Sequence, residues 1–402
     1  MTDFRQLRAW ANGANNIASK DRIPEGFIRH GVNVDPLPGG RIGLRAGYEQ
    51  VYAGTAVRGV LALGKNLLIA DGTILVELNT ETGVSRTLRT IAGAGAFAGD
   101  VMNEVLYFST ENECLQYDGS EVRDWGVPDV LFQPPVTASA AGGLVEGYYQ
   151  VAVTYTDQWG LEGGTDRPAL IFAETNAALT VTVSSIPTGC VANVYVSSVN
   201  GETVYLQNTV DTPGVVVVGI VRDDTARCTT TLKRAPRPGR IVVAHNASMA
   251  IASNNVIELT EPMRPHLVDR VRGFLQYGAD VGLMVSAGAL FVSADKCYSL
   301  TNVETDGISQ RAVLEFPAVP GTAVLLPDGR GAWMTRYGQA ITDGDGVQLV
   351  NRETFAPVDA SSGAAGVLDN NGNQLVVTTM KGVNRANPLA ASDFFIGEIE
   401  NP

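Results

Sequence analysis

The sequence predicts an all-β protein, with a β-propeller-like core and an inserted immunoglobulin/fibronectin-like β-sandwich. Three observations predict this fold class: a composition that favours strands, triplets of short apolar runs separated by polar turns, and a central stretch whose strands alternate more strictly. Of the 402 residues, 44 are glycine and only 18% are charged. Such a composition favours many short strands joined by tight turns over long helices.

Changes in texture divide the chain into four segments. Residues 1–50 are a turn-rich lead-in with a weak helical stretch near Phe4–Ala11, and residues 51–130 are the first propeller part. Residues 131–237 are the inserted sandwich, which begins near Pro134-Pro135. Residues 238–402 are the second propeller part. Proline pairs mark boundaries because proline cannot continue a ladder of main-chain hydrogen bonds.

The propeller prediction comes from repeated triplets of apolar runs. Gly59–Leu63, Leu67–Ala70 and Thr73–Leu78 form the first triplet, with Asp71-Gly72 as a hairpin signal. The same rhythm returns near residues 104–119, 239–260 and 281–342. A repeated unit of three or four short antiparallel strands is typical of a propeller blade. Because no strict motif repeats, a set of sandwiches with similar hairpins is the alternative.

The sandwich prediction comes from strict alternation in the central segment. Gly147–Asp157 places aromatic residues and valines on one face and polar residues on the other, as in a half-buried strand. Further runs at Leu179–Val183, Val191–Ser197, Thr203–Gln207 and Gly214–Val221 bring the count to about seven strands, as in an immunoglobulin-like or fibronectin-like sandwich.

Charge and cysteine usage exclude several classes of protein. The net charge is −13, from 42 acidic and 29 basic residues, which disfavours a surface that wraps DNA. An acidic surface would instead repel the phosphates of DNA, so that DNA could move along it without binding. The four cysteines form no CxxC pair, so we expect neither a zinc site nor a disulfide framework. We expect reduced thiols, with a Cys190–Cys228 bridge as the alternative.

No catalytic, cofactor or metal motif is visible. His30, His245 and His266 lie far apart, and none has the spacing of a metal site. Asp343-Gly344-Asp345-Gly346 lacks the later ligands of a calcium loop, so we interpret it as a β-turn. The N-terminus lacks the apolar stretch of a signal peptide, and no apolar run has membrane-spanning length. We therefore expect a protein made and assembled in a cytosol.

Five residues are candidate subunit contacts. Arg41, Arg45 and Tyr48 lie in the lead-in, where they could hold it against the first blade or a neighbouring subunit. Met263 and Arg264 lie between two prolines, which stiffen the chain and argue against a central strand. Either a rigid projecting loop or a plain crossover between blades would explain that stretch.

Several passages, spread in order over most of the chain, carry a family resemblance. They are Asn33-Val34-Asp35, Gly40-Arg41, Arg45-Ala46-Gly47-Tyr48, Tyr148–Asp157 with the turn Gly160-Leu161-Glu162, Glu258–His266, Ala318–Ala323 and Gly363-Ala364-Ala365. Together they resemble the tail nozzle (tail tubular protein B-like) family of short-tailed bacteriophages. That family has a propeller core with inserted β domains. This chain is short for such nozzles, so a simpler tube or hub component is also open.

The resemblance implies a structural virion protein and not an enzyme, located in the virion tail and assembled in the host cytoplasm. It implies a homohexameric ring at the distal end of the tail tube, below an adaptor ring, with tail fibres or a needle as possible further partners. Viral DNA would pass through the ring without specific binding. The resemblance implies no cofactor.

Two other functions compete with this one. A carbohydrate-binding or carbohydrate-processing propeller would need paired carboxylates or exposed aromatic residues in a pocket. The chain has only four tryptophans, of which we expect Trp125 and Trp333 in cores and Trp159 in a sandwich turn. A host-side adhesion module would need a secretion signal.

Overall fold

The structure, a computed structural model, describes residues 12–29, 31, 33–37, 39–45, 47, 49–305, 307–357, 359–370 and 373–382. The predicted helical stretch Phe4–Ala11 lies outside these residues, as do His30 and Tyr48. Within the described part, the helical element is a single 3-10 turn, Lys20–Arg22, and the regular structure is otherwise antiparallel sheet apart from one short parallel pair. The all-β prediction is therefore confirmed.

The strands are numbered in chain order. The first twelve are β1 Gly13–Ala14, β2 Phe27–Ile28, β3 Val34–Leu37, β4 Arg41–Leu44, β5 Val57–Leu63, β6 Asn66–Asp71, β7 Ile74–Asn79, β8 Ser85–Thr90, β9 Ala98–Met102, β10 Val105–Ser109, β11 Cys114–Tyr117 and β12 Val122–Asp124. The next seven are β13 Val136–Leu144, β14 Gly147–Asp157, β15 Ala169–Ala173, β16 Ala177–Val183, β17 Cys190–Ser197, β18 Val204–Val210 and β19 Gly214–Val218. The remainder are β20 Lys233–Arg234, β21 Ile241–His245, β22 Ser248–Ser253, β23 Val256–Glu261, β24 Arg264–Asp269, β25 Phe274–Gln276, β26 Leu283–Ala287, β27 Ala289–Ser293, β28 Cys297–Thr301, β29 Ser309–Leu314, β30 Val324–Leu325, β31 Gly331–Thr335, β32 Gly338–Thr342, β33 Val347–Val350, β34 Ala360–Asn370 and β35 Asn373–Gly382.

The chain forms two compact units, described separately below. Unit 1 comprises Met1–Ala53, Tyr277–Asn302 and Gly307–Pro402, and unit 2 comprises Gly54–Gln276 and Val303–Asp306. Both units contain four-stranded antiparallel sheets whose strands follow one another in chain order. This meander is the pattern of a propeller blade.

In unit 2, the first two sheets have the orders β5-β6-β7-β8 and β12-β11-β10-β9. Their facing sides share one core, in which Leu68 and Leu75 of the first sheet join Phe108 and Leu115 of the second. A further core packs Trp125 against Met249 and Ile251 of the third sheet, which is built on β20–β25. Each fully buried side chain of this size contributes roughly 1.5–3 kcal/mol of hydrophobic stabilisation.

The insertion lies between the second and third sheets of unit 2 in the sequence. It consists of two antiparallel sheets, β13-β16-β19 and β15-β14-β17-β18. One core, which includes Val153, Leu179, Val194 and Val216, is drawn from both sheets. The alternation predicted for Gly147–Asp157 is confirmed, since Tyr149, Val151, Val153 and Tyr155 all belong to this core. Its immunoglobulin-like or fibronectin-like identity stays a prediction.

In unit 1, two four-stranded sheets follow the same meander, β26-β27-β28-β29 and β30-β31-β32-β33. Phe291 and Trp333 pack between them at a ring-centroid distance of 5.6 Å. Two antiparallel ribbons, β3-β4 and β34-β35, and the short parallel pair β1-β2 also belong to this unit. The turn Asp343–Gly346 joins β32 to β33, as predicted.

Hydrogen bonds tie the lead-in to a distant part of unit 1. Asn16 donates from Nδ2 to the carbonyl of Ala356 and accepts from the Ala356 N–H, both at 2.8 Å. The Asn16 N–H also donates to the carbonyl of Thr354 at 3.0 Å. The predicted turn-rich lead-in is therefore held by polar contacts to residues that follow β33.

The stretch Glu258–His266 differs from both predicted arrangements. It forms the end of β23, a two-residue turn at Pro262-Met263, and the start of β24. The expectation that its prolines forbid a central strand was wrong, because β24 lies between β20 and β23. Pro265 is tolerated there because the register of β23 and β24 shifts between Thr260 and Glu261, and a bulge frees its position from the ladder.

Candidate functional site

A cleft of about 550 Å³ lies in unit 1 between the two ribbons and the sheet of β30–β33. Val34 and Asp35 of β3 line one side, and the consecutive residues 374–378 of β35 line another. Gln339 and Ile341 of β32 line the sheet side. Half of the lining residues are polar or charged, so the cleft is more polar than the mostly apolar pockets that bind small molecules.

Two ion pairs supply the charge in this cleft. Arg45 binds Asp35 Oδ1 through Nε and Nη2, both at 2.9 Å. Arg330 binds Asp328 Oδ2 through Nε at 2.8 Å and Nη2 at 2.7 Å. The Arg330 guanidinium lowers the pKa of the Asp328 carboxyl through these hydrogen bonds. Because each pair uses two N–H groups of a five-donor guanidinium, both arginines keep further donors for a ligand.

Four of the five predicted contact residues are described, and they lie in three different places. Arg45 lines the cleft and pairs with Asp35 inside its own segment, and its side chain is 52% exposed. Arg41 is exposed on β4, at the start of that strand. Tyr48 lies outside the described residues. Met263 and Arg264 lie in unit 2, at the hairpin between β23 and β24. Their role as subunit contacts stays a prediction.

Met263 has an unusual conformation for its residue type. Its φ is +59°, and its side chain is 67% exposed. Left-handed backbone disfavours residues with a Cβ atom, and glycine is the residue that normally follows proline in such a turn. The Met263 N–H donates to the carbonyl of Ala247 at 2.8 Å, which holds the turn in place. Arg264 donates from Nη1 to Thr229 Oγ1 at 3.0 Å.

A second surface feature lies on the insertion. Tyr148 on β14 pairs directly with Phe172 on β15, and their rings meet edge to face at 5.2 Å. Leu170 lies two residues before Phe172 and therefore on the same face of β15. The exposed fractions of Tyr148, Leu170 and Phe172 are 52%, 65% and 45%. We call these three residues the outer patch.

Buried polar groups of the insertion form a structural network. Glu162 Oε1 accepts hydrogen bonds from Thr154 Oγ1 at 2.5 Å and from the Tyr195 hydroxyl at 2.6 Å. Burial and the Glu162 carboxylate raise the pKa of Tyr195. The network ties β14 and β17 to the turn after β14. We assign it to stability because it is closed within the fold.

His266 is the most perturbed of the described histidines. It is 7% exposed, and burial lowers its pKa to about 4, with the Arg264 charge acting in the same direction. Its Nε2 has no hydrogen-bond partner among the described residues. His245 is also buried, and burial lowers its pKa. Both rings are therefore neutral at pH 7.

The four cysteines carry free thiols in the structure, and Cys297 is buried while the other three are half-buried. Burial raises the pKa of Cys114 to about 12, which makes its thiol unreactive. Within the described residues, no three His, Cys, Asp or Glu side chains are placed to bind a metal ion. No helix in the described part has the length and apolar character needed to cross a membrane.

Sequence reasoning found Arg45 but missed the cleft. Asp35 was part of a recognised passage without an assigned role, and Asp328 and Arg330 were not singled out. The signal that could have found them is local: Asp328-Gly329-Arg330 places opposite charges two residues apart in a turn before a buried strand. The outer patch was missed because Tyr148 belongs to a strand whose other aromatics point into the core.

Comparisons with known proteins give only distant structural likenesses. No protein-family model matches the sequence, and no curated protein sequence matches it. A streptogramin B lyase structure is 10% identical over 73% of this chain and 82% of that chain, with a TM-score of 0.31. A puromycin hydrolase structure is 13% identical over 81% of this chain and 50% of that chain, with a TM-score of 0.29. An extracellular domain of a putative hybrid two-component system from B. thetaiotaomicron is 11% identical over 82% of this chain and 39% of that chain, with a TM-score of 0.32.

At these TM-scores, none of the similar structures carries an argument about this chain. Its propeller-like description depends on its own meander sheets and the cores between them.

Proposed function

We propose that this protein is a structural subunit of a bacteriophage tail that assembles through its insertion into a nozzle-type ring. The observation that supports assembly most directly is the outer patch. Two aromatic rings and a leucine that are about half exposed form one contiguous apolar surface. Contiguous apolar surface rimmed by polar residues is typical of an interface with another protein.

The position of the outer patch supports the same proposal. It lies on β14 and β15, and β15 is the terminal strand of the sheet order β15-β14-β17-β18 among the described residues. A neighbouring subunit could bury the two rings there, and aromatic side chains bury roughly 150–250 Å² each. The tail-nozzle assignment itself comes from the family resemblance in the sequence. In that setting the ring is a hexamer, an adaptor ring lies above it, and fibres or a needle attach outside.

The net charge of −13 supports a channel through which DNA passes without specific binding. Carboxylates repel phosphate, so an acidic surface lowers the affinity for DNA at every sequence. We expect no retention of double-stranded DNA by the protein in a gel-shift experiment at low salt. Retention there would contradict this part of the proposal.

The experiment for assembly is native mass measurement with negative-stain imaging, with and without the adaptor protein. We expect rings for the unaltered chain. The double variant Tyr148→Ser/Phe172→Thr removes the outer patch but keeps residues compatible with strands. It should lower the ring population at least tenfold while the thermal midpoint stays nearly unchanged.

The matched control is Val84→Thr, which alters an equally exposed apolar side chain (65% exposed) in an isolated turn. That variant should assemble normally. Rings that survive loss of the outer patch would contradict its role, and monomers under every condition would contradict the ring.

A carbohydrate-binding function is the second candidate, and the exposed Tyr148–Phe172 pair is the observation that favours it. Aromatic faces in a concave site can bind sugar rings. Carbohydrate processing has less support, because a glycosidase needs a protonated carboxyl group as general acid. In the cleft, Arg330 instead keeps Asp328 ionised by lowering its pKa. A glycan array with no bound glycan would exclude this candidate.

A further inference from the structure

We propose that two arginines and two aromatic rings of unit 1 bind the phosphate group of a small phosphate monoester. The residues are Phe316, Arg336, Tyr337 and Arg352, and we call them the arginine cluster. The guanidinium carbon of Arg336 lies 4.7 Å from the centroid of the Tyr337 ring, and that of Arg352 lies 5.8 Å from the same centroid. One tyrosine ring therefore brings two positive charges close together. This inference goes beyond the proposed function and does not depend on it.

The sequence fixes the turn that carries half of the arginine cluster. Arg336 and Tyr337 form the two-residue turn between β31 and β32. The hydroxyl of the buried Thr335 accepts a hydrogen bond from the Tyr337 N–H at 3.1 Å and donates one to the Gly338 carbonyl at 2.8 Å. Gly338 has a φ of +118°, and a Cβ atom there would meet the Val350 carbonyl oxygen at 2.9 Å. The backbone of the turn is therefore held before any ligand binds.

Main-chain pairing places the other two members beside that turn. Ala318 forms a bridge to Thr335, and Phe316 lies two residues before it. The Phe316 ring meets the tyrosine ring edge to face, with the centroids 4.7 Å apart. Strand β33 pairs with β32 up to the residue opposite Gln339, so Arg352 follows at the end of the sheet where the turn lies.

The two positive charges are not compensated by a carboxylate. Within the described part of the chain, neither Arg336 nor Arg352 forms an ion pair or a side-chain hydrogen bond, and both residues are exposed. Glu315, which precedes the phenylalanine of the cluster, pairs with Lys296 instead. Arg45, by contrast, binds Asp35 through two nitrogen atoms. The guanidinium donors of the cluster are therefore open to an oxyanion, which they match in geometry.

The amount of charge favours a phosphate monoester over other anions. Such a group carries about −1.5 to −2 at pH 7, which two guanidinium groups neutralise, whereas a carboxylate carries a single charge. A nucleic acid strand would extend over the surrounding surface of a protein whose net charge is −13, which disfavours a long polyanion. A small ligand remains on the cluster. The site therefore fits a small molecule that bears one phosphate monoester.

The first test is calorimetric titration of the full chain at low salt with glucose 6-phosphate, up to about 10 mM. We expect saturable binding, which Arg336→Gln/Arg352→Gln should weaken at least tenfold. The matched control is Arg22→Gln/Arg311→Gln, which removes the same charge from two other exposed arginines of unit 1. The control should bind like the unaltered chain, and all three proteins should unfold at the same temperature. Equal affinity of the two double variants, or no saturable binding by the unaltered chain, would overturn the proposal.

The second test compares ligands on the unaltered chain. Glucuronate presents a sugar ring with one negative charge, and we expect it to bind at least fivefold more weakly than glucose 6-phosphate. Inorganic phosphate and adenosine monophosphate show whether the phosphate alone, a sugar or a nucleoside gives the tightest binding. Glucuronate that binds as tightly as glucose 6-phosphate would overturn the preference for a phosphate. A single-stranded oligonucleotide that binds more tightly than every small ligand would overturn the small-molecule class.

The third test asks whether the tyrosine ring positions the arginines. The Tyr337 side chain is 39% exposed, and its hydrogen bond to Thr335 uses the main chain, so substitutions leave the turn intact. Tyr337→Leu should weaken glucose 6-phosphate binding about two- to fivefold, because the cation–π contacts are lost. Tyr337→Phe keeps the ring and should bind like the unaltered chain. Equal affinity of both variants would overturn the positioning role of the ring.

Discussion

Strands β31 and β29 belong to two sheets of unit 1, yet their side chains differ strongly in burial. All five residues of β31 are buried, and Trp333 among them is 1% exposed. In β29 the first four of six residues are exposed. Both strands are held by antiparallel ladders, and the ladder of β29 has one register shift, between Cys297 and Tyr298 of its partner β28. The difference shows that main-chain hydrogen bonds are sufficient to form a strand. The burial of its side chains depends on whether the strand lies in the interior or at the edge of its sheet.

The largest loss of stability should come from a substitution on the interior strand β31. Trp333→Ala leaves a cavity against Phe291 and should lower the free energy of unfolding by about 3–5 kcal/mol. The control is Leu325→Ala on β30, whose side chain is 53% exposed and should cost less than about 1 kcal/mol. Denaturant unfolding monitored by circular dichroism measures both. Equal losses would break the distinction between interior and outer strands.

The second effect is a pH dependence from His266 on the interior strand β24. Its folded pKa of about 4 lies below the ordinary value of 6.5, because burial and Arg264 disfavour the charged ring, with Asp157 opposing. The neutral ring is therefore favoured in the fold. Its contribution is present above pH 6.5 and is lost as pH falls toward 4, by about 3 kcal/mol in total.

The control for this prediction is His266→Gln, which cannot titrate. Thermal and denaturant unfolding of both proteins between pH 7.5 and pH 4 would show the difference directly. The unaltered protein should lose stability more steeply over that range. Parallel profiles would mean that the His266 ring is solvated or paired in the folded state.

A smaller effect is expected at the hairpin turn that ends β23. Met263→Gly should raise the free energy of unfolding by up to about 1 kcal/mol, because glycine adopts the left-handed φ of +59° without strain. Met263→Ala keeps the strain but removes the same exposed side chain. If Met263 is a subunit contact, both variants should weaken assembly, and only the glycine variant should be more stable. If both variants assemble at the normal level, Met263 is not a subunit contact.

The smallest change in stability is expected for a substitution on the outer strand β29. Arg311 on β29 donates from Nη2 to the carbonyl of Asp345 at 2.8 Å in an exposed position. Arg311→Ala should change the free energy of unfolding by less than about 0.5 kcal/mol. Differential scanning calorimetry beside Trp333→Ala would show the contrast. A loss above 2 kcal/mol would mean that β29 is buried against another surface.

The sequence was most informative where strands are buried on both faces. Residues 281–342 were predicted to contain short apolar runs between turns, and the buried strands Ala289–Ser293 and Gly331–Thr335 lie in this range. The outer strands β8 and β29 were missed, since Ser85–Thr90 and Ser309–Leu314 alternate without an apolar face. An outer strand needs only main-chain partners on one side, and its exposed side chains carry no periodic signal.

The candidate site was less predictable than the fold. Arg45 could be singled out because it is one of two arginines in the turn-rich passage Gly39–Tyr48. Its partner Asp35 and the second pair, Asp328 and Arg330, converge with it only through the packing of two ribbons against one sheet. Nothing in the local pattern of residues 374–378 distinguishes an edge that borders a cleft from one that meets bulk water.

The junction of the insertion has a consequence for how the chain can be changed. Thr165 forms bridges to Val130 at one end of the insertion and to Thr231 at the other. Asp129 accepts hydrogen bonds from the N–H groups of both Gly164 and Ala235. The two ends of the insertion therefore lie close together, between the second sheet that the chain leaves after β12 and the third sheet that it enters at β20. Another domain with adjacent termini could therefore replace the insertion through short linkers. Such an exchange would change the partners of the protein while the sheets of unit 2 stay unchanged.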